Sequence, residues 1–268
     1  MRYRFLVVLI AVALGGISSI RAEDPAPMTA GFAETDISPD IGMEQPGGYG
    51  KSFHRVLHDP CKVRAAVFDD GKQRVALVGI DALAIRRPQV EAARKLIQEQ
   101  CGIAPEAVLI AASHSHSSGP TCMVLPGEYD HASDLVKELA YEKSSCADAG
   151  YLEKVVAQIA AAVVEADKRR APAQFGVGSG HQDAVAFNRR FRMKDGGSFT
   201  HPGRGNPDIV EPAGPTDPEV GVVAAWDGDG KLLGCIVNFA CHATTNPGGI
   251  SANWIYYLEQ TIRGVMGE

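Results

Sequence analysis

Two histidines follow a short apolar segment, at the point where the chain leaves a predicted strand. Residues 108–112 are apolar and bounded by polar residues, which is typical of a strand buried on both faces. His114 and His116 come next, and residues two apart share one side of an extended chain. Since neutral imidazole is the commonest metal ligand in proteins, both rings could bind one ion. A polar loop with two solvated histidines is the alternative.

Two further apolar segments end in a group that could bind a metal or transfer a proton. Residues 74–80 are followed by Asp81, and residues 232–241 are followed by His242. Ligands of open α/β sheets bind outside the carboxyl ends of strands, so groups at such ends can converge. Two histidines with an oxygen donor and an open position form the layout of a catalytic zinc site. Alternatively, Asp81 caps a turn and His242 is a hydrogen-bonded core histidine.

The strands and helices predicted from periodicity would hold these groups in an α/β fold, with mixed β-sheet layers flanked by helices. Helical spacing of apolar residues marks residues 89–101, 151–170 and 253–266. Apolar or alternating runs predict strands over residues 28–37, 62–68, 74–80, 108–112, 175–179, 220–226 and 232–241. The helix between strands 74–80 and 108–112 indicates a parallel crossover.

Three segments show no such pattern. Glycine and proline are frequent in residues 42–50, where a flexible backbone could approach a ligand closely or simply form surface turns. Residues 125–150 carry many charges and are interpreted as an insertion near the mouth of the site. Residues 194–218 form a segment that is too long to serve only as a connecting loop.

The N-terminus has the pattern of a secretory signal peptide. Arg2 and Arg4 precede an apolar stretch over residues 5–14, which is too short for a comfortable membrane span. Cleavage after Ala22 would leave residues 23–268 as the mature domain, in a secreted or periplasmic protein. An uncleaved membrane anchor is the alternative. The net charge of −6 and the absence of a basic stripe argue against nucleic acid as a partner.

Six cysteines in an exported chain permit disulfide bonds. Cys235 and Cys241 lie too far apart along one extended run to pair with each other. Cys122 and Cys146 bracket the polar segment, and this pair is the favoured disulfide. The alternative is that most of the cysteines are buried thiols.

The ordered set of motifs resembles the neutral/alkaline, non-lysosomal ceramidase family. SHSHSSGP at residues 113–120 is similar to that family's His-x-His-Ser-Gly-Pro motif. Five other stretches resemble family motifs in the same order and extend the match over nearly all of the mature chain: residues 47–52 (GGYGKS), 78–81 (VGID), 188–189 (NR), 239–245 (FACHATT) and 251–253 (SAN).

This resemblance implies an exported, zinc-dependent hydrolase that cleaves the amide of N-acylsphingosine into sphingosine and fatty acid. Its zinc ligands in this chain would be His114 and His242. His116 would lie beside the metal as a catalytic residue, and Arg189 would help to hold the substrate or product head group. Asp81, at the end of its strand, completes the predicted catalytic set. The expected partner is a small amphipathic lipid, met through peripheral contact with a membrane.

The sequence also departs from the family pattern. Family members take two further zinc ligands, a Glu and a Tyr, and a serine-containing loop from a region that would lie beyond Glu268. The sequence is therefore expected to be the N-terminal half of a catalytic domain, incomplete and inactive by itself. Two alternatives stay open. One is a catalytically silent binding domain on the same scaffold, and the other is a metal-dependent hydrolase for a different ester or amide.

Overall fold

A five-stranded sheet forms one half of the fold. In the computed structural model, which describes residues 28–48 and 50–267, the strand order of this sheet is β4-β3-β2-β1-β5. The strands are β1 (Thr29–Asp36), β2 (Lys62–Asp69), β3 (Arg74–Ile80), β4 (Val108–Ala112) and β5 (Ala171–Pro172). All neighbours are antiparallel except β3 and β4, which are parallel as predicted. The predicted signal peptide, residues 1–22, lies outside the described residues.

Two long helices cover one face of this sheet. The helix α1 (Arg87–Cys101) connects β3 to β4, and a short α2 (Asp134–Lys137) and then α3 (Ala149–Lys168) follow along the chain. The core between helices and sheet is aliphatic, with Val67, Ile97 and Val163 all fully buried. Such burial of aliphatic side chains, at about 25 cal/mol per Å² of apolar surface, is the main force that holds helices to a sheet.

The chain between β5 and the last helix forms two small antiparallel sheets. One has the order β11-β10-β6 and the other has the order β8-β7-β9. The six strands are β6 (Gln174–His181), β7 (Arg190–Met193), β8 (Ser198–Thr200), β9 (Ile209–Pro212), β10 (Glu219–Trp226) and β11 (Leu232–Phe239). Helix α4 (Trp254–Met266) follows. No helix in the described part of the chain is long and apolar enough to cross a membrane.

The α/β class and the three predicted helices are confirmed, with helix limits that agree within two residues. The predicted disulfide is wrong, because none of the six cysteines, all of which are described, forms one. Cys146 is registered against Val124 in an isolated bridge instead of against Cys122. Its Sγ lies 3.6 Å from Lys51 Nζ and 3.4 Å from the carbonyl oxygen of Ala140.

Candidate metal centre

Three imidazole rings meet where strands of two different sheets end. His114 and His116 follow β4 in the five-stranded sheet, and His242 follows β11 in a three-stranded sheet. The ring centroids of the three pairs are 4.9, 4.9 and 4.7 Å apart. One nitrogen from each ring lies within 4.8 Å of the others, which is close enough for all three to contact one ion. The rings of His114 and His242, which were predicted to lie at one edge, are therefore close together in the fold.

Backbone carbonyls determine which ring nitrogens of this cluster are available. His114 Nδ1 lies 2.7 Å from the carbonyl oxygen of Leu83, and His116 Nδ1 lies 2.8 Å from that of Gly47. A carbonyl oxygen can only accept, so each Nδ1 carries the hydrogen and each Nε2 keeps its lone pair. This is the arrangement by which proteins orient metal-binding histidines.

The donor atoms have a spacing that suits a tetrahedral ion. His114 Nε2 and His116 Nε2 are 3.2 Å apart, with both lone pairs directed into the space between the rings. Two lone pairs at this distance repel each other unless a proton or a cation is shared between them. Two nitrogens bound to one tetrahedral zinc at about 2.0–2.1 Å would be separated by about 3.3 Å. His116 and His242 both lie close enough to His114 for either to share a zinc ion with it.

The third ring, His242, lies on its own loop and is exposed, as His114 is. His242 Nδ1 lies 3.1 Å from the hydroxyl oxygen of Thr244, which can accept a hydrogen bond from it. In that arrangement His242 Nε2 is the available nitrogen. The two histidine loops also touch directly, because the His116 backbone N–H donates to the carbonyl oxygen of Ala243 at 3.1 Å.

The surroundings favour neutral imidazoles. Burial lowers the pKa of His116 below its usual 6.5, and the nearby charges of His114 and Arg189 lower it further, against the hydrogen bond to Gly47. Burial also lowers the pKa of His242, together with the same neighbouring charges and that of His116. A neutral ring is the form that binds a metal, so these two histidines are ready to bind at neutral pH.

The backbone around the site is strained and closely packed. His114 has φ +64°, a left-handed conformation that a residue with a side chain rarely adopts. The glycine-rich loop reaches the site at Gly47, which has φ +116°. A Cβ at this position would lie 2.8 Å from His116 Nδ1. This loop therefore packs closely against His116, while its approach to a ligand stays a prediction. Tyr49 itself lies outside the described residues.

The other two predicted site residues have different positions. Asp81 is buried, and its Oδ2 accepts from Arg64 Nη1 at 2.7 Å and from the Lys62 N–H at 2.8 Å. Burial raises the pKa of Asp81, while Arg64 opposes that shift. The described structure does not include this carboxylate in the histidine group. Arg189 is exposed just before β7, near enough for its charge to act on His116 and His242.

Sequence reasoning missed a set of buried polar residues beneath the histidines. They share near-zero exposure and hydrogen bonds to one another: Asp59, Ser115, Ser251 and Asn253. The available signal was the polar stretch at residues 251–253, which resembled a family motif but had no assigned role. Buried polar groups of this kind are normally retained only when every hydrogen bond is made.

The fold and the histidine cluster define an α/β protein with a candidate metal site at the ends of its strands. No family model matches the chain. Neutral ceramidase of Pseudomonas aeruginosa (strain PAO1) is 24% identical over 254 residues, which cover 91% of this chain and 34% of that protein. The resemblance inferred from the motifs is confirmed by this match, which falls on the N-terminal part of the relative.

Solved structures show the same fold. The crystal structure of the P. aeruginosa neutral ceramidase matches with a TM-score of 0.58 and 22% identity, over 86% of this chain and 34% of that one. A ceramidase complexed with C2 matches with a TM-score of 0.53 and 22% identity, over 85% and 34% of the two chains. The chain thus spans about a third of the length of the relatives that it matches.

Proposed function

We propose that this chain supplies zinc-binding imidazoles to an exported hydrolase of N-acyl amides, with N-acylsphingosine as the substrate class. The observation that carries the proposal is the convergence of three imidazole donors within 4.8 Å. The substrate class is supported by similarity to a protein named neutral ceramidase and to a ceramidase solved as a complex with C2. Since the chain spans 34% of that relative, donors from outside the described residues can complete the site.

His114 and His242 are proposed as the residues that hold the ion. Their Nε2 atoms are available because Nδ1 of each ring has an oxygen partner, the Leu83 carbonyl and the Thr244 hydroxyl. When bound there, zinc supplies Lewis-acid polarisation of an amide carbonyl. These two residues also lie on different sheets, so one ion would connect the two parts of the fold.

His116 is proposed to move the proton. Its Nδ1–H is fixed on the Gly47 carbonyl, so Nε2 is the basic atom and faces the centre of the cluster. A fixed tautomer with a lone pair directed at the reacting groups is what a general base needs. Arg189 adds a positive charge on the exposed side, where it can hold a polar head group.

Export through residues 1–22 is part of the same proposal. It is supported by the pair of arginines followed by an apolar stretch and small residues. A lipid with one polar and one apolar part would reach such an enzyme from a membrane surface, which makes peripheral membrane contact part of its working cycle.

Zinc binding by single-histidine variants tests the assignment of roles. We expect equilibrium dialysis to give about one zinc per chain for wild type, and His114→Ala and His242→Ala to weaken binding at least tenfold. His116→Ala should keep the zinc. His131→Ala, which removes an exposed imidazole outside the cluster, is the matched control. Loss of zinc in His116→Ala would show that His116 is a ligand, and a wild type without zinc would contradict the metal proposal.

Hydrolysis is tested in the protein that the intact gene encodes. Fatty acid released from a short-chain N-acylsphingosine should fall to background in His114→Ala and in His116→Ala, but not in His131→Ala. Zinc binding without cleavage of any N-acyl amide would contradict the substrate assignment and leave only the metal site.

A further inference from the structure

We propose that Asn253 is a positioning residue that fixes the two histidine-bearing segments relative to each other. The effect of Asn253 on metal binding rests on the function proposed above, but its effect on the positions of the histidine rings does not. Asn253 is fully buried and immediately precedes α4. An asparagine at this place usually accepts a hydrogen bond from the first turn of the helix. Here its side chain makes no such bond, because it is directed at the histidine loops.

One side of the amide holds the segment that carries His242. Asn253 Oδ1 accepts from the Asn246 backbone N–H at 2.7 Å and from the Thr245 hydroxyl at 3.1 Å. Both partners belong to the loop that follows His242. Asn246 has φ +41°, so this loop adopts a conformation that needs support from its surroundings.

The other side of the amide holds the segment between His114 and His116. Asn253 Nδ2 donates to the Ser115 hydroxyl oxygen at 2.7 Å. That hydroxyl donates its only hydrogen to the Ser251 carbonyl and also accepts from the Ser117 N–H. Because Ser115 has no second hydrogen to donate, its partner at residue 253 must itself be a donor. An amide meets both requirements, and a carboxylate of the same shape does not.

Asn253 is itself held by a buried acid. Asp59 accepts from the Ser251 hydroxyl and from the Ala252 N–H, and Ser251 Oγ in turn accepts from the Asn253 N–H. These bonds maintain Asn253 at φ +62°. Among the described residues, five without glycine's freedom have positive φ: His114, Met123, His201, Asn246 and Asn253. Two of these five, Asn246 and Asn253, belong to this network, and a third, His114, immediately precedes Ser115 of the network. Such clustering is the pattern expected where strain serves a function.

The Asn253 amide helps to set the distance between the His114 and His242 rings. His114 and His242 come from separate sheets, so no strand ladder sets the distance between their rings. Two bonds join the segments directly, from the His116 N–H to the Ala243 carbonyl and from the Ser117 hydroxyl to Asn246 Oδ1. The Asn253 amide adds a link in which one side chain bonds to both segments. Partners that hydrogen-bond directly to metal ligands typically change metal affinity about 10- to 100-fold when removed, and we expect the lower end of this range for Asn253, which acts through the histidine loops.

Ring contacts in the metal-free chain provide the first test. We compare wild type with Asn253→Ala, with the isosteric Asn253→Asp, and with Val163→Ala, a core variant that loses stability far from the histidines. Nuclear Overhauser effects between the ring protons of His242 and those of His114 and His116 are expected in wild type, whose ring centroids are 4.9 and 4.7 Å apart. They should persist in Val163→Ala and weaken in both Asn253 variants. Wild-type intensities in both Asn253 variants would overturn the inference.

Zinc titration of the same samples separates this inference from the proposed function. The zinc Kd should rise at least tenfold in both Asn253 variants and less than twofold in Val163→Ala. Unchanged zinc affinity in the Asn253 variants would also overturn the inference. If wild type binds no zinc, the proposed function fails while the ring contacts still decide the role of Asn253. The isosteric Asp variant keeps the comparison available if the Ala variant does not fold.

Discussion

At the scale of single residues, the chemistry of this site depends on carbonyl groups as much as on imidazoles. The Leu83 and Gly47 carbonyls accept from Nδ1 of His114 and His116, so both rings present Nε2 to the same space. With the opposite tautomers, the cluster would present N–H groups, which repel a cation. The loops that contribute these carbonyls are therefore as necessary for a metal site as the histidines themselves.

Gly47 provides a direct test of this dependence. Alanine there would bring Cβ to 2.8 Å from His116 Nδ1, so the ring must move and its bond to the Gly47 carbonyl must break. We expect Gly47→Ala to lower hydrolysis by at least tenfold. Gly42→Ala is the matched control, since Gly42 also has positive φ, +94°, but has no atom within 4 Å of the added Cβ. Both variants should lose about 1 kcal/mol of stability from backbone strain. Equal activities of the two variants would contradict the positioning of His116 by this loop.

Part of the site could be predicted from sequence, and the rest could not. His114 and His242 were identifiable because each follows an apolar strand, and strand ends converge in α/β folds. The alternative for Asp81 was a turn cap, whereas the hydrogen bonds of its carboxylate come from Arg64 and from the Lys62 N–H on β2. The link from Asn253 to Ser115 was not predictable, since it joins side chains 138 residues apart that no periodic pattern relates.

At the scale of elements, the length and polarity of a strand determined whether it could be predicted. The strands β1 to β4, β10 and β11 are five to eight residues long and largely apolar, and their limits follow from sequence. The strands β7, β8 and β9 have only three or four residues, with charges or exposed positions, and they were missed. Their pairing is set by neighbours in space, which a short segment does not encode by itself.

Helix α4 is attached by ion pairs in addition to its partly buried side chains. None of its residues is fully buried, but Glu259 Oε1 lies 2.7 Å from Lys62 Nζ, and Glu259 Oε2 lies 2.9 Å from Arg64 Nε on β2. Arg64 also binds Asp81 at the end of β3. This ion-pair network therefore joins α4, which directly follows Asn253, to the five-stranded sheet that carries His114.

The network makes stability depend on pH. Partial burial raises the pKa of Glu259, but hydrogen bonds and charges from Lys62 and Arg64 outweigh this and lower it from 4.5 to about 2. A carboxylate with a lowered pKa stabilises the fold above its unfolded pKa, and this contribution disappears as pH falls from 4.5 toward 2. Glu259→Gln should therefore cost about 2 kcal/mol at pH 7, after allowance for solvent screening, and almost nothing near pH 2.

Urea unfolding of both proteins from pH 7 to pH 2 measures this difference. Burial raises the pKa of Asp81 in both proteins, but the Glu259 charge, which adds to that rise, is absent from Glu259→Gln, so the Asp81 contribution cancels only in part. Glu91→Gln removes an exposed carboxylate that pairs with Arg87 on α1, and it should change stability by less than about 0.5 kcal/mol at every pH. If the difference in free energy of unfolding between wild type and Glu259→Gln stays constant down to pH 2, the variant has lost packing and not a charge interaction.

At the scale of the whole molecule, the five-stranded sheet and the β11-β10-β6 sheet meet at the histidines and again near β1. Near β1 they are in contact, since an added Cβ on Gly234 of β11 would overlap the Phe32 ring. Beside this contact lies an open cavity of about 550 Å³ between β1, β2, β11 and α4. Its walls include Leu258 and Ile262, and Glu34 and Arg263 stand among its charged residues. The histidine cluster lies where the two sheets meet, so one ion there can bind side chains that come from both sheets.

Export of the protein is expected to depend on the apolar stretch at residues 5–14. A signal peptide needs an uninterrupted apolar stretch, and a charge in its middle prevents insertion into the export machinery. Leu9 lies in the centre of residues 5–14, so Leu9→Arg should keep the protein in the cytoplasm with residues 1–22 attached. Gln73→Arg adds the same charge to an exposed turn of the mature chain and should leave export unchanged.

The measurement is cell fractionation followed by N-terminal sequencing of the exported protein. For wild type and for Gln73→Arg, the sequence is expected to begin at Glu23 or within a few residues of it. An exported protein that still begins at Met1 would point to the uncleaved anchor. A wild type found only in the cytoplasm would contradict export and, with it, the proposal that this chain meets its lipid substrate from outside the cell membrane.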